Sequence, residues 1–296
     1  MMQQTMVARG VLSVFGAGLC LLSVAPSRAA RTVHEERHFP VKERPLVVLQ
    51  NIVNGRIEVK SSKNPEVVVI SDTGSDKVAV DVEQVGDRLD ISASALAPSF
   101  QPHDIEANFQ LIVPESTELQ LRTQTGLIYV EQVRGDMKLQ SVAGDVHLKE
   151  VSGYIIVKTT AGSLVCTQCA GKLEFNSISG GAQVLQPTLS NVTLLTTTGN
   201  LLYDGEFVRK GFYSMNSGRG VVEVHFSGND SLDLNAHSLL GVVDNQASDF
   251  IKPDTHIKTR HVMPCPGNCL LATIGQGLAK VELSSYSGTI RILKRP

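Results

Sequence analysis

A glycine recurs at every ninth residue in the middle of the chain, and this spacing limits the possible folds more than any other feature. The series consists of Gly126, Gly135, Gly144, Gly153, Gly162, Gly171 and Gly180. A fixed period indicates a repeat architecture, in which each unit buries its apolar face against its neighbours. The regular part of the repeat spans residues 126–188.

Apolar residues occupy fixed places after each glycine. The second place carries Ile128, Met137, Val146, Ile155, Leu164, Leu173 and Ala182, and the fourth carries Val130, Leu139, Leu148, Val157, Cys166, Phe175 and Val184. The third place is mostly polar, so the period within a unit is two, as in a half-buried β-strand. The seventh place is apolar again in Val133, Val142, Val151, Cys169 and Ile178. This pattern predicts one inward residue at each corner, before the glycine turns the chain.

Equal spacing favours a coil that returns above itself over a meander of hairpins, because hairpin turns do not require a fixed nine-residue interval. The glycines alternate in kind, so the repeating unit is about 18 residues with two main strands. We therefore predict an all-β fold, a single right-handed parallel β-solenoid resembling a β-helix. One buried ladder should contain Val130, Leu148, Cys166 and Val184.

The flanking segments carry alternating strand patterns with no composition break, so residues 45–296 are predicted to form one domain. Residues 31–44 are charged and aperiodic and are predicted to be a linker. The basic tail from Arg291 to Arg295 is expected to blunt a sheet edge.

Residues 1–30 have the organisation of a secretory signal peptide. Arg9 precedes an apolar run from Val11 to Ala25, and Ser27 to Ala29 supply small residues for cleavage. The run is short for a transmembrane helix, which needs about 20 apolar residues. The mature chain is therefore predicted to have no transmembrane segment and to be exported to the periplasm, the cell surface or the medium.

The charge balance argues against a nucleic-acid-binding protein. The chain has 27 Lys and Arg against 29 Asp and Glu, and removing Arg9 and Arg28 with the signal leaves 25 against 29, a net charge of −4. Nucleic-acid binding requires clustered basic residues. This balance predicts no basic face and no nucleic-acid partner.

Three segments resemble the LiaG-like family of candidate adhesins, bacterial envelope proteins of unassigned function related to head domains of autotransporter adhesins. They are NGRIEV at 54–59, FQLIVP with TGLIYV before the repeat, and IGQGLAKVELSSYSGTIRI at 274–292. The resemblance covers about residues 45–296. It implies a β-solenoid in a surface or periplasmic location, and it supplies no catalytic residues.

The residues of the repeat argue against two functions, calcium binding and glycan cleavage. Calcium-binding nonapeptide solenoids need recurring Gly and Asp, whereas the fifth place after the glycine here includes Lys149 and Lys158. A glycan-cleaving enzyme needs converging carboxylates. Asp136 and Asp145 are half a coil apart, so we expect them on different faces, each capping a turn.

Four cysteines are candidates for disulfides. Cys166 and Cys169 are both in apolar columns, which favours core packing with or without a short-range bridge over redox chemistry. Cys265 and Cys269 flank a Pro-Gly-Asn turn, and export favours a disulfide between them. Two free thiols are the second alternative, and zinc bound by these two with His256 and His261 is the weakest.

Taken together, the residues predict an exported, non-enzymatic protein that presents a polar surface for adhesion or envelope-associated interaction. Its expected partner is an envelope or extracellular protein or glycan, self-association remains open, and no cofactor, metal or catalytic residue is expected. The alternative is a glycan-active enzyme on a β-helix scaffold.

Overall fold

The computed structural model describes residues 33–96, 105–249, 251–252 and 267–295. These residues form an all-β structure of two large mixed sheets. Sheet A contains, in spatial order, β1 (Val33–Pro40), β4 (Glu66–Thr73), β7 (Ala107–Pro114), β3 (Ile57–Ser62), β9 (Ile128–Glu131), β11 (Val146–Lys149), β13 (Leu164–Thr167), β15 (Ala182–Leu185), β17 (Leu201–Asp204), β19 (Val222–Phe226), β24 (Ile290–Lys294) and β21 (Val243–Asn245).

Sheet B contains, in spatial order, β22 (Asn268–Ile274), β20 (Leu232–Ser238), β23 (Ala279–Ser285), β18 (Phe212–Ser217), β16 (Thr188–Thr196), β14 (Ala170–Ser177), β12 (Ser152–Thr159), β10 (Met137–Ser141), β8 (Glu118–Thr125), β2 (Leu46–Asn54), β6 (Arg88–Ala95) and β5 (Val78–Val85). Inward side chains from both sheets form one continuous hydrophobic core. Within the described ranges, no helix is long and apolar enough to cross a bilayer.

Successive strands of the repeat alternate between the two sheets. From β8 to β19, each strand pairs in parallel with the next but one, at an offset of 18 residues in the regular part. Val130 pairs with Leu148, Leu148 with Cys166, and Cys166 with Val184, and each is at most 1% exposed. The predicted parallel ladder and its two-strand unit are confirmed.

The repeat glycines are required mainly because the backbones of adjacent units approach closely. A Cβ on Gly144 would lie 1.8 Å from the carbonyl oxygen of Gly126, and one on Gly162 would lie 1.9 Å from that of Gly144. Only Gly126, Gly153 and Gly171 of the predicted series have positive φ. The other four lie in the connections between strands with ordinary φ, and glycine is required there because no side chain fits.

A second column, absent from the sequence interpretation, lies three residues before one glycine series. It is a ladder of buried hydroxyls formed by Thr123, Ser141, Thr159, Ser177, Thr196, Ser217, Ser238 and Ser285. From Ser141 onward, each hydroxyl oxygen accepts the N–H of the glycine three residues later, at 2.7 to 3.1 Å. Each hydroxyl satisfies a backbone donor that the corner would otherwise bury unpaired.

The seventh-place residues divide into two classes. Val133, Val151 and Cys169 are at most 1% exposed, as predicted, but Val142 is 49% exposed and Ile178 is 59% exposed. The prediction of an inward side chain is therefore wrong for Val142 and Ile178. The residue just before each of them belongs to the hydroxyl ladder and points inward, and because successive side chains of a strand alternate sides, Val142 and Ile178 point outward.

Antiparallel strands lie at both ends of the structure, so a single all-parallel solenoid is not confirmed, and its hand remains a prediction. At one end β1 pairs with β4, β4 with β7, and β5 with β6; at the other, β22 pairs with β20. The linker predicted for residues 31–44 contains β1, whose side chains are all exposed or partly exposed. A charged edge strand lacks the buried alternation on which sequence prediction depends.

Both terminal parts of the described chain are inserted out of sequence order. β2 lies between β6 and β8, and β3 lies between β7 and β9. Likewise β23 lies between β18 and β20, and β24 lies between β19 and β21. Within the basic tail, Arg291 lies between β19 and β21, whereas Lys294 is paired with β19 alone, so the predicted blunting of a sheet edge applies at most to the last residues of β24.

The repeat widens after residue 187 without losing its pairing. Residues 205–211 lengthen one connection, and the additional volume is filled by aromatic rings, with Phe207 stacked on Phe226 at a centroid distance of 5.0 Å. The buried Tyr213 hydroxyl donates to the Leu189 carbonyl oxygen at 2.7 Å. Wider turns on the same ladder, as predicted, are confirmed.

Candidate functional site

A groove of about 510 Å³ lies on the outer side of sheet A, and we call it the sheet A groove. It follows the ends at which β13, β15, β17 and β19 begin. Its polar lining is supplied by Ser163, Ser179, Gln183, Thr198, Asn200, Glu223 and Arg291. Hydroxyl, carboxamide and charged groups therefore converge on one surface.

The corner that follows each repeat glycine positions the floor of this groove. Ser163 and Asn200 occupy equivalent places in different units, and Asn200 Oδ1 accepts the N–H of Val221 at 2.9 Å. Asp145, one unit before Ser163, accepts the Ser163 N–H at 2.8 Å in the same way. Each of these side-chain oxygens accepts a backbone N–H from the next unit. Gly181 and Gly199, which have no side chain, leave space for the groove.

A chain of ion pairs borders the groove across β17, β19 and β24. Arg295 Nε donates to Asp204 Oδ1 at 2.9 Å, and Asp204 Oδ2 lies 3.5 Å from His225 Nδ1. His225 Nε2 lies 3.1 Å from Glu223 Oε1, whose other oxygen is 3.6 Å from Arg291 Nη1. Arg295, Asp204, His225 and Glu223 are partly buried and Arg291 is exposed, and together they link β24 to β19 and β17.

The chemistry available in the groove is recognition by hydrogen bonds and charge. Among the described lining residues, Glu223 is the only carboxylate, and it is already bonded to His225. Glycoside hydrolysis uses a pair of carboxyl groups flanking the scissile bond. The groove thus offers polar contacts without the paired acids of that reaction.

The other half of the outer face of sheet A carries compensated charges. Lys149 Nζ donates to Glu131 Oε1 at 2.7 Å, and this hydrogen bond lowers the pKa of Glu131 and raises the pKa of Lys149. Lys60 Nζ lies 2.6 Å from Glu58 Oε1, and that hydrogen bond raises the pKa of Lys60. These pairs are largely solvated, so each adds little stability.

The acids considered for catalysis do not converge. Asp136 precedes β10 in sheet B, and its Oδ1 accepts the Tyr154 N–H at 3.0 Å. Asp145 precedes β11 in sheet A. Each carboxylate caps the following unit, and the two belong to different sheets, as the spacing indicated.

Cys166 and Cys169 form a disulfide with a Cα separation of 6.0 Å, and both are fully buried. The structure thus contains the short-range bridge that the sequence left open. Cys269 is also disulfide-bonded. Cys265, His256 and His261 lie outside the described residues, so the Cys265–Cys269 pairing remains a prediction. Among the described residues, no group of three or more His, Cys, Asp or Glu side chains is placed to hold a metal ion.

Sequence reasoning missed the groove and its ion-pair network. The small or polar residue that follows three repeat glycines was a readable signal for the groove floor, in Ser163, Gly181 and Asn200. The network had no such signal, because Asp204, Glu223 and Arg291 meet only after β24 is inserted beside β19.

Comparisons with known proteins do not assign a family. No family model matches the chain, and no curated protein matches it, so the LiaG-like resemblance is not confirmed. A candidate cell adhesion protein from Clostridium sporogenes ATCC 15579 is 9% identical over 90% of this chain and 100% of its own, with a TM-score of 0.31. A candidate adhesin from Parabacteroides distasonis ATCC 8503 is 8% identical over 89% and 98%, with a TM-score of 0.25.

Proposed function

We propose that this protein is an exported, non-enzymatic β-solenoid that uses its polar sheet faces for adhesion or envelope-associated interaction. The observation that carries the proposal is the sheet A groove, where hydroxyl and carboxamide groups surround the Glu223–Arg291 ion pair. Such groups recognise other polar molecules by directed hydrogen bonds. The partner is an envelope or extracellular protein or glycan.

Export is supported by two independent features of the chain. Residues 1–30 have the organisation of a secretory signal. The Cys166–Cys169 disulfide is typical of a protein that matures in an oxidising compartment.

The two edge strands of sheet A fit a protein that is exposed to many other proteins. β1 carries charged side chains along its length, and β21 is only three residues long. Charged and very short edge strands hinder edge-to-edge pairing, which would otherwise cause aggregation.

The experiment is a binding assay with residues 31–296, refolded or secreted with their disulfides, against isolated cell envelopes of the source organism. The test variant is Gln183→Trp, which places a large ring in the groove at an exposed strand position. The matched control is Asn216→Trp, at an exposed position on sheet B. We expect saturable binding that Gln183→Trp weakens at least tenfold and Asn216→Trp leaves unchanged.

Absence of binding by the folded wild-type chain would overturn the proposed function. Equal binding by Gln183→Trp would remove the groove from it. Release of soluble sugars during incubation, abolished by Glu223→Gln, would instead favour the glycan-active enzyme.

A further inference from the structure

The outer face of sheet B contains three cations that form no ion pair within the described residues. Arg122 lies on β8, Lys138 on β10 and Lys158 on β12, and all three are exposed. In the parts of the chain that the structure describes, none of them takes part in an ion pair, in contrast to Lys60, Lys149 and Arg291 on sheet A. We call Arg122, Lys138 and Lys158 the basic triangle.

The register places these residues close together. Arg122 pairs with Gln140, and Gln140 pairs with Lys158, so the two cations are two strands apart, about 10 Å between Cα atoms. Lys138 lies two residues before Gln140 on the intervening strand, on the same face. The expectation that the charge balance implies no basic face is therefore corrected, because an 18-residue offset brings together cations that are scattered in the sequence.

A shallow pocket of about 200 Å³ lies between two members of the triangle. Arg122 and Lys158 line it together with Gln140, the exposed Val142 and Thr160. It therefore combines cations, a carboxamide, a hydroxyl and an apolar surface. At low salt these exposed like charges repel one another, and an anion bound between them removes that repulsion.

We propose that the basic triangle binds an anionic, carboxylate-bearing polysaccharide. The cations would pair with carboxylates on the polymer, Gln140 and Thr160 would hydrogen-bond hydroxyls, and Val142 would contact the apolar face of a sugar ring. The nearest aromatic residue on this face, Tyr154, donates its hydroxyl to Glu174. The patch thus lacks the stacking aromatics typical of single-stranded nucleic-acid sites. This inference goes beyond the proposed function, because it names a partner class for a different face from the groove.

The test measures binding of residues 31–296 to polygalacturonate by biolayer interferometry at low and high salt. The triple variant Arg122→Gln, Lys138→Gln, Lys158→Gln removes the triangle. The control variant Lys63→Gln, Lys280→Gln, Lys294→Gln removes the same charge from exposed sites elsewhere. We expect the triangle variant to lose at least tenfold in affinity and the control less than threefold, with wild-type binding weakened by salt.

Four results would overturn the inference: no binding of polygalacturonate, equal losses in both triple variants, tighter binding of neutral dextran, or a preference for single-stranded DNA or anionic lipid vesicles. Circular dichroism with thermal melting of each variant separates lost binding from lost folding. If the wild-type chain binds cell envelopes but not polygalacturonate, this inference fails while the proposed function stands. If it binds polygalacturonate but no envelope, the reverse holds.

Discussion

At the residue scale, the repeat requires glycines, because a Cβ atom at these positions would clash with the neighbouring unit. Gly162 has ordinary φ, yet a Cβ there would lie 1.9 Å from the Gly144 carbonyl oxygen and 2.9 Å from the Thr159 hydroxyl. Gly162→Ala should therefore force backbone shifts and destabilise the protein by about 1–3 kcal/mol or more. Urea unfolding should show the loss, and Gly228→Ala, which meets nothing within 4 Å, should change stability by less than about 0.5 kcal/mol. Equal effects would argue against close stacking.

The hydroxyl ladder gives a second residue-scale prediction. Ser177 Oγ accepts the Gly180 N–H at 2.8 Å in the buried corner. Ser177→Ala leaves this donor without a partner, which should cost about 1–3 kcal/mol. Ser177→Thr should retain most of the stability, since Thr159 and Thr196 fill the same place in adjacent units. If both variants are equally unstable, side-chain volume rather than the hydrogen bond determines stability.

At the scale of elements, β1 is an edge strand whose side chains contact β4 through charged and titratable groups. His38 lies 3.3 Å from Glu66 on β4 and 3.0 Å from Glu36, and these hydrogen bonds raise the pKa of His38 above its ordinary 6.5. A raised histidine pKa contributes stability that is complete below pH 6.5 and is lost as the pH rises through the folded-state pKa. We therefore expect β1 to open more readily at pH 8 than at pH 6.

Trypsin cleavage after Arg37 can report this opening. At each pH, the cleavage rate of the protein should be divided by the cleavage rate of a peptide of residues 33–41. This division removes the pH dependence of trypsin itself. The ratio should rise between pH 6 and pH 8 in the wild type and rise less in His38→Gln. A pH-independent ratio in the wild type would show that the histidine contacts do not hold β1.

The elements also show what the sequence could predict. The period of nine identified the strands, their alternation and the parallel ladder through Val130 and Leu148, because buried columns repeat at fixed intervals. The same pattern says nothing about which unit an irregular segment joins. The insertion of β2 beside β6 and of β24 beside β19 was therefore missed. The basic triangle and the groove were missed because each requires three or more strands in register, and β1 was missed because it buries no residue.

At the scale of the whole molecule, compartment and disulfides are linked. Cys166 is bonded to Cys169, and Cys269 is disulfide-bonded. We expect a non-reducing peptide map of the chain secreted through its own signal to show Cys166–Cys169 and Cys265–Cys269, with residues 1–30 removed. Free thiols at Cys265 and Cys269 would contradict the second bridge. Zinc retained through dialysis would favour the site with His256 and His261.

The two ends of the described chain should contribute unequally to stability, because the C-terminal strands β23 and β24 are inserted between other strands. β23 and β24 each lie between two parallel partners, and their inward residues are at most 1% exposed, namely Ala279, Val281, Leu283, Ile290 and Ile292. β1 pairs on one side only and contains no fully buried residue. Burying a large aliphatic side chain contributes about 1.5–3 kcal/mol, so the two ends should differ strongly in their effect on stability.

Two deletions test this difference. Removing residues 279–295 leaves β18 to β21 without their shared neighbours, so we expect the cooperative unfolding transition in urea to be lost and the dye ANS to bind exposed apolar surface. Removing residues 33–40 should lower the transition midpoint only slightly and leave dye binding unchanged. If the chain ending at residue 278 unfolds at the wild-type midpoint, β20 can close directly on β18 and the order of sheet B is wrong. If instead the loss of β1 abolishes the transition, the edge strand rather than the inserted unit completes the fold.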